Sequence, residues 1–194
     1  KISRKINSKT AAVMVIHEFG YPCKETINLR KCCNEKKIPL IENCAWGIKS
    51  RIDDKHVIGE VGDYAIYSLP KIFPMQYGGI LKGIEISDDE NWSKYRMLDY
   101  YKKEIVKSQL STFVSKIDEF NKIKLENWNY LNSLFVEDGY SPLSSIEKNV
   151  FPTAYVVKMP EFQEFYERLL EFGVESGSYY HEKSLFLPCH QSLD

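Results

Sequence analysis

The run Ala12-Val13-Met14-Val15-Ile16 carries no polar residue at any alternate position. A strand with one wet face alternates apolar with polar; a strand covered on both faces of a parallel sheet reads as an unbroken apolar stretch. The run ends at His17-Glu18-Phe19-Gly20, Pro22 closes the turn, and Lys24 to Lys36 reads as a helix with Ile27, Leu29, Cys32 and Cys33 on or near one face. Ile38-Pro39-Leu40-Ile41-Glu42 is a second buried strand, with Pro39 at its start, where a missing N–H does least harm. Asp63 to Ser68 is the third, and Gly78-Gly79-Ile80-Leu81 begins a fourth. Strand, helix, strand and crossover in this order predict an α/β domain built on a mainly parallel sheet. Ligands of such sheets sit beyond the carboxyl ends of the strands, which puts His17, Asn43 and Ser68 along one rim.

The texture changes after Ser87. Leu110, Phe113, Val114, Ile117, Phe120, Trp128, Leu131 and Phe135 recur at helical spacing, which predicts one long helix with a core-facing stripe. Gly139-Tyr140-Ser141-Pro142 breaks it. A short α+β segment closes the chain: a strand around Thr153–Lys158, a helix with Phe162, Phe165, Leu169 and Phe172 inside, a stop at Gly173, and an irregular tail with His181 and His190. The expected organisation is residues 1–107 as part of a large sheet domain, and 108–194 as a connecting helix plus a small C-terminal domain.

Charge narrows the function classes. Lys and Arg number 26 against 27 Asp and Glu, a formal charge of −1. That balance argues against a nucleic-acid binder relying on a basic field and against a polybasic membrane-surface protein. No apolar run approaches a membrane span, and none reads as a signal peptide. Five cysteines with no CxxC predict free, mostly buried thiols in a reducing cytoplasm. Asp53-Asp54 reads as a solvated turn, and His181-Glu182 lacks the second histidine a metal site needs, so no metal is expected.

Phosphate loops, GxGxxG, GxSxG and HExxH are all missing from the sequence; Ser68-Leu69-Pro70-Lys71 remains. A serine at a strand end can hold a phosphate with its hydroxyl and neighbouring N–H groups. A lysine three residues on becomes a nucleophilic amine once apolar walls or a second cation disfavour its charge.

Further landmarks stand around this pair. Val15-Ile16-His17-Glu18-Phe19-Gly20, Ile38 through Glu42-Asn43-Cys44-Ala45-Trp46, Gly59-Glu60-Val61-Gly62-Asp63 through Ser68, Gly78-Gly79 and Leu185-Phe186-Leu187-Pro188-Cys189-His190 occur in that order. The order resembles the DegT/DnrJ/EryC1/StrS family, the pyridoxal-phosphate-dependent nucleotide-sugar aminotransferases of fold type I. The resemblance implies that the sheet is the C-terminal part of the cofactor-binding large domain, and that the family's N-terminal part is absent. By the same carry-over, Lys71 is the Schiff-base lysine and Ser68 the phosphate-holding serine. Asn43 falls where the family pairs an aspartate with the pyridine nitrogen, and Trp46 where a Gln or His lies against the cofactor.

The implied activity is transamination of a keto-sugar nucleotide in amino-sugar biosynthesis, with pyridoxal 5'-phosphate as cofactor and glutamate as amino donor. A cytoplasmic homodimer without nucleic-acid or membrane partners is implied too. Two departures stand out: the lysine lies two residues nearer the serine than is usual in the family, and Asn43 cannot supply the charge that keeps the ring protonated. The alternative is a catalytically degenerate homologue serving as a sugar-nucleotide-binding or dimerisation module.

Overall fold

The computed structural model describes residues 4–83, 100–179 and 182–193. Strand β1 (Val13–Ile16) leads through a single 3-10 turn, Glu18–Gly20, to helix α1 (Thr26–Lys36). Strands β2 (Leu40–Asn43) and β3 (Tyr64–Ser68) follow, then the one-turn helix α2 (Leu69–Ile72) and strand β4 (Gly79–Lys82). The sheet runs β1-β2-β3-β4, with the first two pairings parallel and β4 antiparallel to β3. It is an α/β sheet of the expected class.

One face of this sheet is packed. Val15 and Leu40 meet Leu29 and Cys33 of α1, while Ile52 and Ile58 of the loop after β2 close over Cys44. The other face is open, contrary to the expectation of two covered faces for β1. Met14 and Ile16 are about half exposed, and Ile16, Asn43, Ile66 and Leu81 lie in register across it. The apolar run carries the pattern of a doubly covered strand, but the described residues supply only one covering layer.

The expected long helix is two. Helix α3 (Tyr100–Val114) stops and α4 (Ile117–Glu137) starts after a break at Ser115 and Lys116. Phe113 and Phe120, one on each side, both pack on Phe73, at ring-centroid distances of 5.9 and 6.3 Å. The bend lets two turns of different helices reach one buried ring.

The tail is not irregular either. Strands β5 (Ser141–Pro142), β6 (Ala154–Lys158), β7 (Gly177–Tyr179) and β8 (Ser184–Pro188) form an antiparallel sheet of order β5-β6-β8-β7. Helix α5 (Phe162–Glu171) and Trp128 of α4 pack against it, with Tyr155, Val157, Leu185 and Leu187 at the centre. The signal for β8 is in the sequence: Leu185 and Leu187 point inward while Phe186 between them is only half-buried. His181 lies outside the described residues. All five cysteines are free.

Phe19 joins the two sheets. Its ring packs with Ala154 and Val156 of β6. Its carbonyl accepts from both the N–H and the hydroxyl of Thr153, at 2.8 and 3.1 Å. These bonds hold Phe19 in the left-handed region, φ 51°, which a bulky residue adopts only when its surroundings fix it. Gly20 follows at φ +84°, where a Cβ would sit 2.8 Å from the Phe151 carbonyl oxygen.

Candidate active site

The parallel pairing places the carboxyl ends of β1, β2 and β3 side by side: Ile16 is opposite Asn43, and Asn43 opposite Ile66. Ser68 ends β3 and is the N-cap of α2 in extended conformation, with no side-chain capping bond. Pro70 occupies the first turn of α2, where its lack of an N–H costs nothing, and Lys71 follows at once. The Lys71 side chain is exposed, with its Nζ 3.9 Å from the centroid of the Trp46 ring. That is cation–π distance. Trp46 is half-buried and in turn packs on Phe19, centroid to centroid 5.2 Å.

Asn43 is half-buried, and its Oδ1 accepts from the Ala45 N–H at 3.0 Å. With the oxygen committed, the amide presents N–H donors to a further partner. The structure therefore brings Lys71 onto Trp46, within one short turn of Ser68, and sets Asn43 at the neighbouring strand end.

His17 takes no part in the rim. Its side chain is fully buried; Nδ1 accepts from the Cys23 N–H at 3.1 Å, which puts the proton on Nε2, 3.0 Å from Glu42 Oε2. Glu42 is equally buried and accepts three more bonds, from the N–H groups of Gly59, Val61 and Gly62 at 2.8, 2.8 and 2.5 Å. Burial opposes its charge, but these bonds outweigh it and hold the carboxyl below its usual range. Glu42 is thus the anchor of the Gly59–Gly62 turn that covers the packed face of the sheet. Sequence reasoning passed it over as a strand residue. The available signal was a carboxylate in a dry strand followed by a Gly-x-x-Gly turn rich in backbone donors.

His17, Glu42 and Cys44 also bring one ligand atom each within 4.8 Å of one another. The donors serve other ends. Glu42 is saturated with N–H groups, and burial, then the Glu42 charge, pushes the Cys44 thiol up to about 12, so it keeps its proton at neutral pH. This chemistry fits a hydrogen-bonded brace.

Lys124 is the other group the sequence did not single out. It sits on α4 at 2% exposure, with its Nζ 3.2 Å from the carbonyl of Ile72, the last residue of the helix that bears Lys71. A cation at a helix C-terminus meets the negative end of the backbone dipoles. Burial pulls its pKa down to about 8.

Residues 1–109 match the DegT/DnrJ/EryC1/StrS aminotransferase family. The chain belongs to that family. Among family relatives, it is 42% identical over 67 residues to a GDP-perosamine synthase of Vibrio cholerae, a match covering 34% of this chain and 18% of the relative. Two of the solved structures that superpose on all of it serve for comparison. One is an aminotransferase, TlmJ, of Streptoalloteichus hindustanus, with a TM-score of 0.76 at 20% identity, and the chain covers 64% of it. The other is a Streptococcus pneumoniae protein in its PLP form, with a TM-score of 0.76 at 16% identity, of which 67% is covered. These likenesses establish the aminotransferase fold over the whole of the described chain. The matched segment spans under a fifth of the curated relative.

Proposed function

We propose a pyridoxal-phosphate-dependent aminotransferase acting on a keto-sugar nucleotide, with Lys71 as the amine that engages the cofactor. The observation that carries this is the Lys71 amine lying over Trp46 at the carboxyl-end rim, one short turn beyond Ser68. The donor set suits the cofactor: a primary amine, a hydroxyl and an amide N–H all lie on or beside the ends of two adjacent parallel strands. Pyridoxal phosphate, when bound, supplies an aldehyde and a ring able to spread negative charge.

The chain's own residues then divide the work. Ser68 donates its hydroxyl to the phosphate. Asn43 turns its N–H donors to the ring nitrogen, which suits an unprotonated nitrogen because the amide oxygen is already bonded to Ala45. Trp46 shields one side of Lys71 from water, and Lys71, once off the indole face, carries a proton to and from the reacting carbon. The name of the Vibrio cholerae relative supports a nucleotide-linked amino sugar as the product class. Glutamate as amino donor and a homodimer remain part of the proposal.

The test is covalent capture. The protein is incubated with pyridoxal phosphate, reduced with borohydride, and digested for peptide mass spectrometry. A pyridoxyl group on Lys71, lost in Lys71→Arg, is expected. An adduct spread over surface lysines, with Lys71 unmodified in folded protein, overturns the assignment. That outcome would favour the second reading, a degenerate homologue, which the neutral amide at Asn43 supports.

A further inference from the structure

A recess of about 240 Å3 opens where the end of β1 meets the small sheet. Phe19, Tyr21, Tyr179 and Leu143 give it apolar walls, and Glu18 and Glu182 add two carboxylates. Among the described residues that line it there is no lysine or arginine. Tyr21 offers only its ring, since its hydroxyl donates to the Ala154 carbonyl and accepts from the Trp128 indole N–H. Tyr179 stands edge-on to Phe19, 5.8 Å between centroids, and its hydroxyl faces Glu18. Because Phe19 also packs on Trp46, two aromatic rings, Phe19 and then Trp46, separate the recess from the Lys71 amine.

We propose that this recess binds the amino-bearing ring of an amino sugar. Aromatic walls take the C–H faces of a pyranose and attract a cation through their negative faces, and the two carboxylates add charge attraction to an ammonium group. The volume is below the ~300–1,000 Å3 of a pocket for a drug-sized ligand, so it accepts one sugar ring and leaves a nucleoside diphosphate outside. The inference rests on the aminotransferase reading for its place in the reaction: it makes the recess the holding site for the aminated sugar.

The experiment titrates the 194-residue chain, below neutral pH, with D-glucosamine, N-acetyl-D-glucosamine and D-glucose, read by saturation-transfer NMR. Glucosamine is expected to bind about tenfold more tightly than the other two. The double variant Glu18→Gln, Glu182→Gln removes that preference, and Leu143→Trp, at a partly exposed position, fills the recess and abolishes binding. Circular dichroism confirms that each variant is folded. Equal affinity for the three sugars, or a preference that survives in either folded variant, overturns the proposal. Lys71→Ala separates the two ideas: it loses the pyridoxyl adduct but keeps glucosamine affinity, so a failed adduct at Lys71 leaves the recess standing, and equal sugar affinities leave Lys71 standing.

Discussion

Glu42 and Lys124 are both buried charges, and the structure treats them in opposite ways. Glu42 is surrounded by donors; removing it strands His17 and three backbone N–H groups in a dry site. Glu42→Ala is expected to cost about 3–5 kcal/mol in urea unfolding, and Glu42→Gln, which keeps part of the network, about 1–3 kcal/mol. Because the folded carboxyl is held below its ordinary value of 4.5, its contribution is complete above that value and is lost as pH falls through the lower folded value. Glu42→Gln should flatten that acid limb of the stability curve. Among the described residues Lys124 has one backbone acceptor, the Ile72 carbonyl, and no carboxylate partner. Its pKa falls from 10.5 to about 8, so between those values the unfolded chain binds more protons and stability from this group rises with pH. Lys124→Met is expected to stabilise the protein by about 1–3 kcal/mol at neutral pH, an advantage that shrinks from pH 8 to 10.5. The difference between variant and wild type is the quantity to measure, since buried thiols and tyrosines such as Cys189 and Tyr155, both pushed up to about 12, lower stability over the alkaline range. Residues of this kind are hard to read from sequence. Asn43 and Ser68 stood at strand ends, where position points to a rim, although the same rule misplaced the buried His17; Lys71 followed from its spacing to Ser68, and Trp46 from the family resemblance. Glu42 and Lys124 differ from solvated charges only through partners distant in the chain.

Among the elements, the strands were the most legible. Apolar runs bounded by glycine and proline placed β1, β2, β3 and β6 within one or two residues, because burial on a sheet face leaves a direct imprint on composition. The break between α3 and α4 left no such imprint. No glycine or proline stands at Ser115 or Lys116, and the apolar spacing continues across the bend; what divides the helix is the common target of Phe113 and Phe120 on Phe73. The Gly59–Gly62 turn is the element most exposed to substitution. Gly59 has φ +80°, and a Cβ there would lie 1.8 Å from the Tyr67 hydroxyl oxygen and 3.3 Å from Cys44 Sγ. Gly59→Ala is expected to destabilise by about 2–4 kcal/mol and to release the turn from Glu42, seen as faster amide exchange at Val61 and Gly62.

At the scale of the molecule, a few polar bonds tie the large sheet to the small one. Trp128 donates to Tyr21 at 2.6 Å, Tyr21 donates to Ala154, and Thr153 grips the Phe19 carbonyl. Tyr21→Phe leaves the Trp128 indole N–H and the Ala154 carbonyl without these partners and is expected to cost about 1–3 kcal/mol. If the two sheets unfold as one unit, near- and far-ultraviolet circular dichroism should give coincident thermal transitions in the wild type and separate in this variant. Such long-range ties were invisible in the sequence, where Tyr21 and Ala154 are 133 positions apart.

The unpacked row Ile16, Ile66 and Leu81, with Met14 beside it, bears on how stability can be followed at all. A greasy plane of this kind takes up anilinonaphthalene dyes while every strand is intact. Dye fluorescence will therefore be bright before heating begins, and melting curves for this protein should be recorded by calorimetry or ellipticity instead.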